Sequence, residues 1–422
     1  MNRIPLILTA IGLLLASPGQ AVVVGNLAHS QPIVIGGGDP FEIQLTRSAN
    51  LGWMRITFVW REMNPAFGVY NWGVTDSIVN NARAQGVKIL AILSTAPTWA
   101  GSNANGTRPP ANITYWEEFV RQVAQRYNGL VDAYEIWNEP NLMNSGTGIG
   151  WDADLWASPR YVDYLRAAAI KIRTYAPGTL VVGPVTSSRP DSRTVEVFKQ
   201  LQQVSFPDGP ASKFLDVVSF HANASDDEST ATIVSRISSQ LSTLLNRNPS
   251  NVNKPIWLTE FGWKSNRVGE ASQRDRIRNI VMAVSGQTCV NLCDICGPSG
   301  TVGCGFKFTH AFIYKGIDTP TESSGIFRGD RSAKPVVTDY LRTLPFPAKQ
   351  LNDEYAPFTF TCAGRTCTFS SSIFFPSLWD FGDGTTGSGS VVTHTFPASG
   401  QYFVTVAAEG INGSDLQLIR VF

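Results

Sequence analysis

The chain has 422 residues, of which 43% are hydrophobic and 16% charged, and its 34 Lys and Arg residues nearly balance its 33 Asp and Glu residues. A nearly neutral chain without a run of like charges lacks the basic footprint of a protein that binds nucleic acid or an anionic membrane. The length exceeds what one hydrophobic core usually organises, so we expect two domains and a targeting segment.

Residues 1–21 have the layout of a secretory signal peptide. Arg3 supplies a positive charge, residues 5–15 are almost continuously apolar, and Ala21 ends a stretch that contains small residues. This pattern predicts cleavage after Ala21 and an extracellular protein, or a periplasmic one if the source is a bacterium. The alternative is a retained membrane anchor, but the apolar run is shorter than the ~20 residues that a membrane span needs.

Short β-rich apolar segments alternate with amphipathic segments between Ile33 and Leu341. The eight predicted strands are Ile33–Ile35, Met54–Val59, Lys88–Leu93, Val131–Trp137, Leu180–Val182, Val217–Phe220, Ile256–Thr259 and Thr309–Tyr314. This alternation predicts an α/β fold, a closed (β/α)8 TIM barrel, over residues 22–342. An open doubly wound sheet is the alternative, but the glycine run after the first strand lacks the full phosphate-loop fingerprint.

The composition changes after residue 342. Residues 343–354 contain prolines and show no periodicity, which predicts a linker. Residues 355–422 alternate short β-rich segments with turn clusters, which predicts a small all-β sandwich. The run Trp379-Asp380-Phe381-Gly382-Asp383-Gly384 resembles the turn of a polycystic kidney disease (PKD) domain, an immunoglobulin-like sandwich. The resemblance implies a spacer or a weak binding module. Asp380 and Asp383 are expected to form turn hydrogen bonds, with calcium binding as the alternative.

Six cysteines fall into two clusters. The first is Cys289, Cys293, Cys296 and Cys304, and the second is Cys362 and Cys367. Export favours disulfides, so we expect two in the first cluster, with the pairing open, and one across a hairpin in the second. A structural zinc site is the alternative for the first cluster, because four closely spaced cysteines can bind zinc.

Two glutamates stand at strand ends. Glu139 precedes Pro140, which has no N–H and ends strand four, and Glu260 follows strand seven. TIM barrels carry their active sites at the C-terminal ends of the strands. Strands four and seven lie across a closed barrel from each other, so we expect the two carboxylates to face one another.

Two facing carboxylates are the arrangement that cleavage of a glycosidic bond needs. One carboxyl group holds a proton for the leaving oxygen, while the other stays ionised and attacks the sugar; each shifts the pKa of the other. The alternative for either glutamate is a salt-bridged residue at the rim of the barrel.

The segments Ile136-Trp137-Asn138-Glu139-Pro140-Asn141 and Leu258-Thr259-Glu260-Phe261-Gly262 resemble the strand-four and strand-seven signatures of clan A glycoside hydrolases. The likeness is closest to family 39 and to cellulase-like barrels, and it covers most of residues 33–341. The resemblance implies a glycosidase that retains anomeric configuration, with Glu139 as acid/base and Glu260 as nucleophile, and with no cofactor or metal.

The resemblance extends to neighbouring side chains. It implies that Asn138 binds the sugar 2-hydroxyl and that Arg55, on strand two, supports the nucleophile; a turn-forming role and a plain salt bridge are the alternatives. His221 ends strand six and is expected to bind substrate, or else to be a satisfied core histidine. Related enzymes carry a tyrosine two positions later that bonds the nucleophile, and Asn223 leaves that contact open. Tyr314 ends strand eight, where many relatives place a tryptophan under the sugar.

Tryptophans also follow several strands. Trp60, Trp99 and Trp263 come after strands two, three and seven and are expected to flank the cleft and stack on sugar rings, with core packing as the alternative. The loop 141–158, which contains Trp151 and Trp156, is expected to wall one side of the cleft.

The sequence therefore predicts an exported enzyme that cleaves a β-linked glycan through a covalent glycosyl-enzyme. The appended module favours endo-action on a polysaccharide. An exo-acting β-glycosidase, such as a β-xylosidase, and a catalytically silent carbohydrate-binding protein or adhesin are the alternatives. The expected partner is a polysaccharide or oligosaccharide, with no nucleic acid and no membrane span after signal cleavage, and we expect a monomer.

Overall fold

A computed structural model describes residues 23–27, 40–142, 160–187, 192–224, 228–247, 254–284, 307–344, 358–371, 377–381, 383, 385–408 and 414–421. The predicted signal peptide, the first cysteine cluster, most of the predicted linker, and Trp151 and Trp156 lie outside the described residues. No helix in the described ranges combines the length and the apolar character needed to cross a membrane.

Eight parallel strands close into a barrel. The first five are β1 (Val23–Leu27), β2 (Trp53–Val59), β3 (Lys88–Ser94), β4 (Ala133–Ile136) and β5 (Leu180–Thr186). After a short hairpin of β6 (Ser205–Phe206) and β7 (Gly209–Pro210), the last three are β8 (Val217–His221), β9 (Pro255–Phe261) and β10 (Lys307–Ile313). Their order around the barrel is β1-β10-β9-β8-β5-β4-β3-β2. The predicted barrel is confirmed, although its first strand is β1 and not Ile33–Ile35, which lie outside the described residues.

Helices connect and cover the strands. They are α1 (Pro40–Ser48), α2 (Trp60–Met63), α3 (Gly73–Ala84), α4 (Ile113–Arg126), α5 (Tyr161–Tyr175), α6 (Ser192–Gln203), α7 (Thr230–Arg247), α8 (Ser265–Val268), α9 (Glu270–Val284) and α10 (Pro335–Thr338). In α4, the side chain of Asn112 caps the first turn by accepting from Thr114 N, and the apolar face is buried.

Alternation along the strands decides which side chains enter the barrel. Among the residues whose side chains are described, the buried apolar cluster that fills the barrel interior consists of Trp53, Leu90, Ala133, Val182, Val217, Trp257 and Phe312. Arg55 lies two positions after Trp53 in β2, and Glu135 lies two positions after Ala133 in β4. Both charged side chains therefore point inward, one layer nearer the C-terminal ends of the strands.

A β-bulge in β9 changes this alternation. Phe220 pairs with Leu258, but the next residue of β8, His221, pairs with Glu260, so Thr259 is an extra residue. Leu258 and Phe220 pack in the layer between strands and helices. Without the bulge Glu260 would point the same way as Leu258; with it, Glu260 turns inward beside His221.

The C-terminal module is a sandwich of two antiparallel sheets. Its strands are β11 (Phe358–Ala363), β12 (Thr366–Ser371), β13 (Ser377–Asp380), β14 (Thr386–Ser388), β15 (Val391–Thr395), β16 (Gly400–Ala408) and β17 (Ser414–Val421). The sheet orders are β11-β12-β15 and β14-β13-β16-β17. The predicted disulfide between Cys362 and Cys367 is confirmed. Asp383 accepts hydrogen bonds from the backbone N–H and the hydroxyl of Thr385, as expected of a turn residue.

Candidate active site

The chain leaves the barrel wall sharply after β4. Trp137 and Glu139 both adopt positive φ angles, 67° and 47°. Such angles are costly for residues with side chains and persist only where surrounding contacts hold them. The backbone N–H of Glu139 donates to Val185 O at 3.0 Å, which ties this turn to β5. The turn places the Glu139 carboxylate at the C-terminal mouth of the barrel.

His221 joins the two predicted catalytic glutamates. Its Nδ1 atom lies 2.9 Å from Oε1 of Glu139 and 3.5 Å from Oε2 of Glu260. These two carboxylate oxygens are therefore no more than about 6.4 Å apart. The side chain of His221 is fully buried, whereas those of Glu139 and Glu260 keep 17% and 11% of their surface exposed. The structure thus brings the two carboxylates together in a partly open site.

Arg55 is buried at the base of the site and donates hydrogen bonds to three side chains. Its Nη1 atom donates to Oε1 of Glu260 at 2.6 Å, and its Nη2 atom donates to Oδ1 of Asn138 at 2.8 Å. The third contact runs from Nε to Oε2 of Glu135 at 2.5 Å. Burial would lower the pKa of Arg55, but the charges of Glu135 and Glu260 outweigh it and raise that pKa. The guanidinium therefore remains a fixed positive charge.

Glu260 is held in its ionised form. Burial alone would raise its pKa, but the neighbouring His221 and Arg55 and a hydrogen bond from Asn223 lower it below the usual range. The Asn223 amide donates from Nδ2 to Oε2 of Glu260 at 2.7 Å. Asn223 stands where related enzymes carry a tyrosine, and its amide therefore makes the hydrogen bond to the predicted nucleophile.

Glu135 is a site residue that the sequence analysis missed. It is fully buried, and its Oε1 atom has no hydrogen-bond partner among the described residues. Burial raises the pKa of Glu135, opposed by Arg55 and His221 and reinforced by the charge of Glu260. The available signal was a carboxylate inside a strand whose other residues are apolar, because a buried charge needs a partner.

Tyr314 lies at the end of β10, next to the glutamates. It is half-buried, and its backbone N–H donates to Phe261 O at 2.8 Å. Burial, followed by the negative charges of Glu260, Glu322 and Glu139, raises the pKa of its phenol. The phenol therefore stays protonated, within reach of the charges of both glutamates.

The structure does not bring all the predicted tryptophans to the cleft. Trp60 is fully buried and stacks on Phe119 at a ring-centroid distance of 4.8 Å. Trp263 is also buried, and its Nε1 atom donates to Glu228 O at 2.6 Å. A ring without an exposed face cannot stack on a sugar, so both residues pack the core. Trp99 is half-buried and keeps part of its ring at the surface.

Two family models match the chain. A model described as cellulase (glycosyl hydrolase family 5) matches residues 43–291, and a PKD domain model matches residues 363–419. These matches confirm both resemblances found in the sequence.

Individual relatives are more distant. The chain is 27% identical over 117 residues to "Beta-glucosidase-like SFR2, chloroplastic" of Oryza sativa subsp. japonica, a match over 24% of this chain and only 17% of that protein. Among solved structures, it is similar to a family 39 glycoside hydrolase from Bacteroides cellulosilyticus WH2 (TM-score 0.53, 16% identity, 93% of this chain and 71% of that one). It is also similar to a glucosidase from Croceicoccus marinus (TM-score 0.56, 13% identity, 96% of each chain). These structural likenesses show the fold alone.

Proposed function

The chain belongs to the cellulase family, glycosyl hydrolase family 5, and from this premise we propose that it is an exported retaining glycosidase acting within β-linked polysaccharide chains. Glu260 is the nucleophile and Glu139 the acid/base. Export rests on the signal-like residues 1–21, and the Cys362–Cys367 disulfide suits an oxidising compartment.

The unequal surroundings of the two glutamates carry this proposal. Both oxygens of Glu260 accept hydrogen bonds, one from the Arg55 guanidinium and one from the Asn223 amide. Among the described residues, no arginine or lysine forms an ion pair with Glu139, whose carboxylate contacts His221 instead. A carboxylate held ionised by a cation suits a nucleophile, which leaves the acid/base role to the other glutamate of the pair, Glu139.

The spacing of the carboxylates is compatible with retention of configuration. Inverting enzymes separate the two groups by about 6.5–9.5 Å to admit a water molecule, whereas retaining enzymes hold them about 5–5.5 Å apart. A limit of about 6.4 Å between Oε1 of Glu139 and Oε2 of Glu260 admits the retaining spacing, and the retaining mechanism itself is proposed from the family match.

The proposed reaction has two steps. Glu260 attacks the anomeric carbon while Glu139 protonates the leaving oxygen, which gives a glycosyl ester on Glu260 and the free leaving group. Glu139 then takes a proton from water, and the water oxygen displaces Glu260 from the anomeric carbon. Asn138, fixed by Arg55, is the amide that meets the sugar 2-hydroxyl as positive charge grows on the ring.

Trapping of the intermediate tests this proposal. An activated 2-deoxy-2-fluoro glycoside should inactivate the enzyme, and mass spectrometry of the digest should find one sugar on the peptide that contains Glu260. The Glu260→Gln variant should take up no label. Labelling of a different carboxylate would overturn the assignment. Early products from a soluble polysaccharide should span several chain lengths, and release of a single short sugar would replace endo-action with exo-action.

A further inference from the structure

Exposed large hydrophobic side chains of the barrel are concentrated in the loop 64–72 and the first turn of α3. In the described part of the barrel they are Phe67 and Val69 in the loop and Val74 in α3, which are 72%, 50% and 38% exposed. Single exposed apolar residues need no explanation, but a cluster marks a surface that binds something. The loop 64–72 belongs to the connection from β2 through α2 to α3, so it lies at the same end of the barrel as Glu139 and Glu260.

Three aromatic rings form a continuous group there, which we name the ring cluster: Phe67, Trp99 and Tyr115. Phe67 lies 5.6 Å from Trp99 and 5.9 Å from Tyr115 between ring centroids, and Trp99 lies 5.4 Å from Tyr115. All three pairs meet edge to face. Trp99 and Tyr115 are half-buried and support Phe67, whose ring is the exposed member.

Three hydrogen bonds brace the turn that carries Phe67. Asn64 is buried, and its Nδ2 atom donates to Ala66 O at 2.8 Å and to Val69 O at 2.7 Å. Val69 N also donates to Ala66 O at 3.0 Å, and Gly68 supplies the positive φ of 76° that the turn needs. Turn tips usually carry small or polar residues. Here the turn holds a phenyl ring in contact with solvent. Exposing this apolar surface is unfavourable in free energy, and a binding partner that covers the ring would offset that cost.

We propose that the ring cluster is a binding site for a neutral β-linked polysaccharide, with the ring of Phe67 stacked on the apolar face of a sugar. Pyranose rings present such C–H faces, and aromatic side chains bind them without charge. The two loops involved begin at the ends of the adjacent strands β2 and β3, so a chain that extends from the mouth of the barrel on this side passes over them. The inference rests on the proposed glycosidase function for the identity of its ligand.

Two separate measurements test the site in the full chain. Affinity electrophoresis in gels that contain soluble xylan, glucomannan or hydroxyethylcellulose measures binding; in these gels the wild-type chain and the Phe67 and Val69 variants all carry the inactivating Glu260→Gln substitution, so that the polysaccharide is not degraded. Hydrolysis of short aryl β-glycosides by the same proteins without Glu260→Gln measures the reaction centre. Wild-type protein should be retarded by at least one polysaccharide. Phe67→Ala should weaken that retention about three- to tenfold and leave kcat/KM on the aryl glycosides unchanged.

Two matched variants decide whether stacking is responsible. Phe67→Leu keeps an exposed apolar side chain but removes the ring, so it should lose as much retention as Phe67→Ala. Val69→Ala removes apolar surface from the same turn and should behave like wild type. Equal retention of wild type and Phe67→Ala, or no retention of wild type by any of the three polysaccharides, would overturn the inference even if aryl glycosides are hydrolysed. Phe67-dependent retention of a protein that hydrolyses no glycoside would overturn the proposed function instead.

Discussion

Asn223 donates a hydrogen bond of 2.7 Å from its Nδ2 atom to Oε2 of Glu260. Its backbone is fixed as well, because Arg236 Nη1 donates to Asn223 O at 3.0 Å. The amide therefore stabilises the charged form of Glu260 from the side opposite the Arg55 contact, which is made to Oε1.

Asn223→Ala should reduce kcat/KM about 10- to 100-fold, since a hydrogen bond to a charged group contributes about 1.5–3 kcal/mol. Loss of this donor also makes Glu260 harder to ionise, so the acidic limb of the pH profile of kcat/KM should move to higher pH. Asn81→Ala on α3 is the matched control and should leave both quantities unchanged. An unshifted acidic limb in Asn223→Ala would show that the contact does not act on the nucleophile.

Glu135→Gln should move the same limb in the opposite direction. The variant keeps an oxygen for Arg55 Nε but removes a negative charge that opposes ionisation of Glu260, so the limb should move to lower pH. Because the pKa of Glu135 is raised in the fold, the stability that Glu135 contributes should be full below its unfolded pKa and be lost as pH rises through its folded pKa. Chemical denaturation across acidic pH should therefore show the free energy of unfolding of wild type falling relative to that of Glu135→Gln as pH rises.

The two catalytic glutamates should respond differently to removal. Glu260→Ala should lose essentially all activity because no glycosyl ester can form, and azide should give at most the inverted glycosyl azide. Glu139→Ala should still react with substrates whose leaving groups need no proton, and then stall for want of a base. Azide should rescue this variant with retained configuration. Rescue of Glu260→Ala with retained configuration and of Glu139→Ala with inverted configuration would mean that Glu139 is the nucleophile and Glu260 the acid/base.

The positions of Glu139 and Glu260 at the mouth of the barrel could be predicted from the sequence, because both glutamates stand at the ends of predicted strands. Pro140 predicted the end of strand four to within a few residues, since β4 ends at Ile136, and the barrel topology brings the end of β9 across from it. The inward orientation of Glu260 could not be predicted, because strict alternation from Leu258 turns it toward the helices and only the bulge at Thr259 reverses it.

Trp60 and Glu135 show where local patterns fall short. Trp60 follows β2 directly, as a cleft residue would, but a helical turn starts there and directs the ring onto Phe119 of α4. Glu135 is the second residue before Trp137 in an apolar strand, and its role depends on Arg55, 80 positions earlier. That pairing appears only when β2 and β4 are folded into one barrel.

The barrel should work without the C-terminal module. The core of that module consists of its own residues, among them Phe369, Trp379 and Phe396. Truncation after Pro345 keeps the last described contacts of the barrel, including the hydrogen bond of 2.6 Å from Asn50 Nδ2 to Leu344 O. Circular dichroism should show a folded fragment with kcat on short soluble substrates within about twofold of the full chain. A folded but inactive fragment would place part of the site in the module.

The configuration of the first product tests the double-displacement mechanism most directly. Proton NMR of wild-type enzyme acting on a β-glycoside should show the β-anomer of the released sugar first, before mutarotation produces the α-anomer. This result follows from Glu260 forming a covalent ester and water replacing it on the same face. First appearance of the α-anomer would mean direct attack by water and would contradict the assignment of Glu260 as nucleophile.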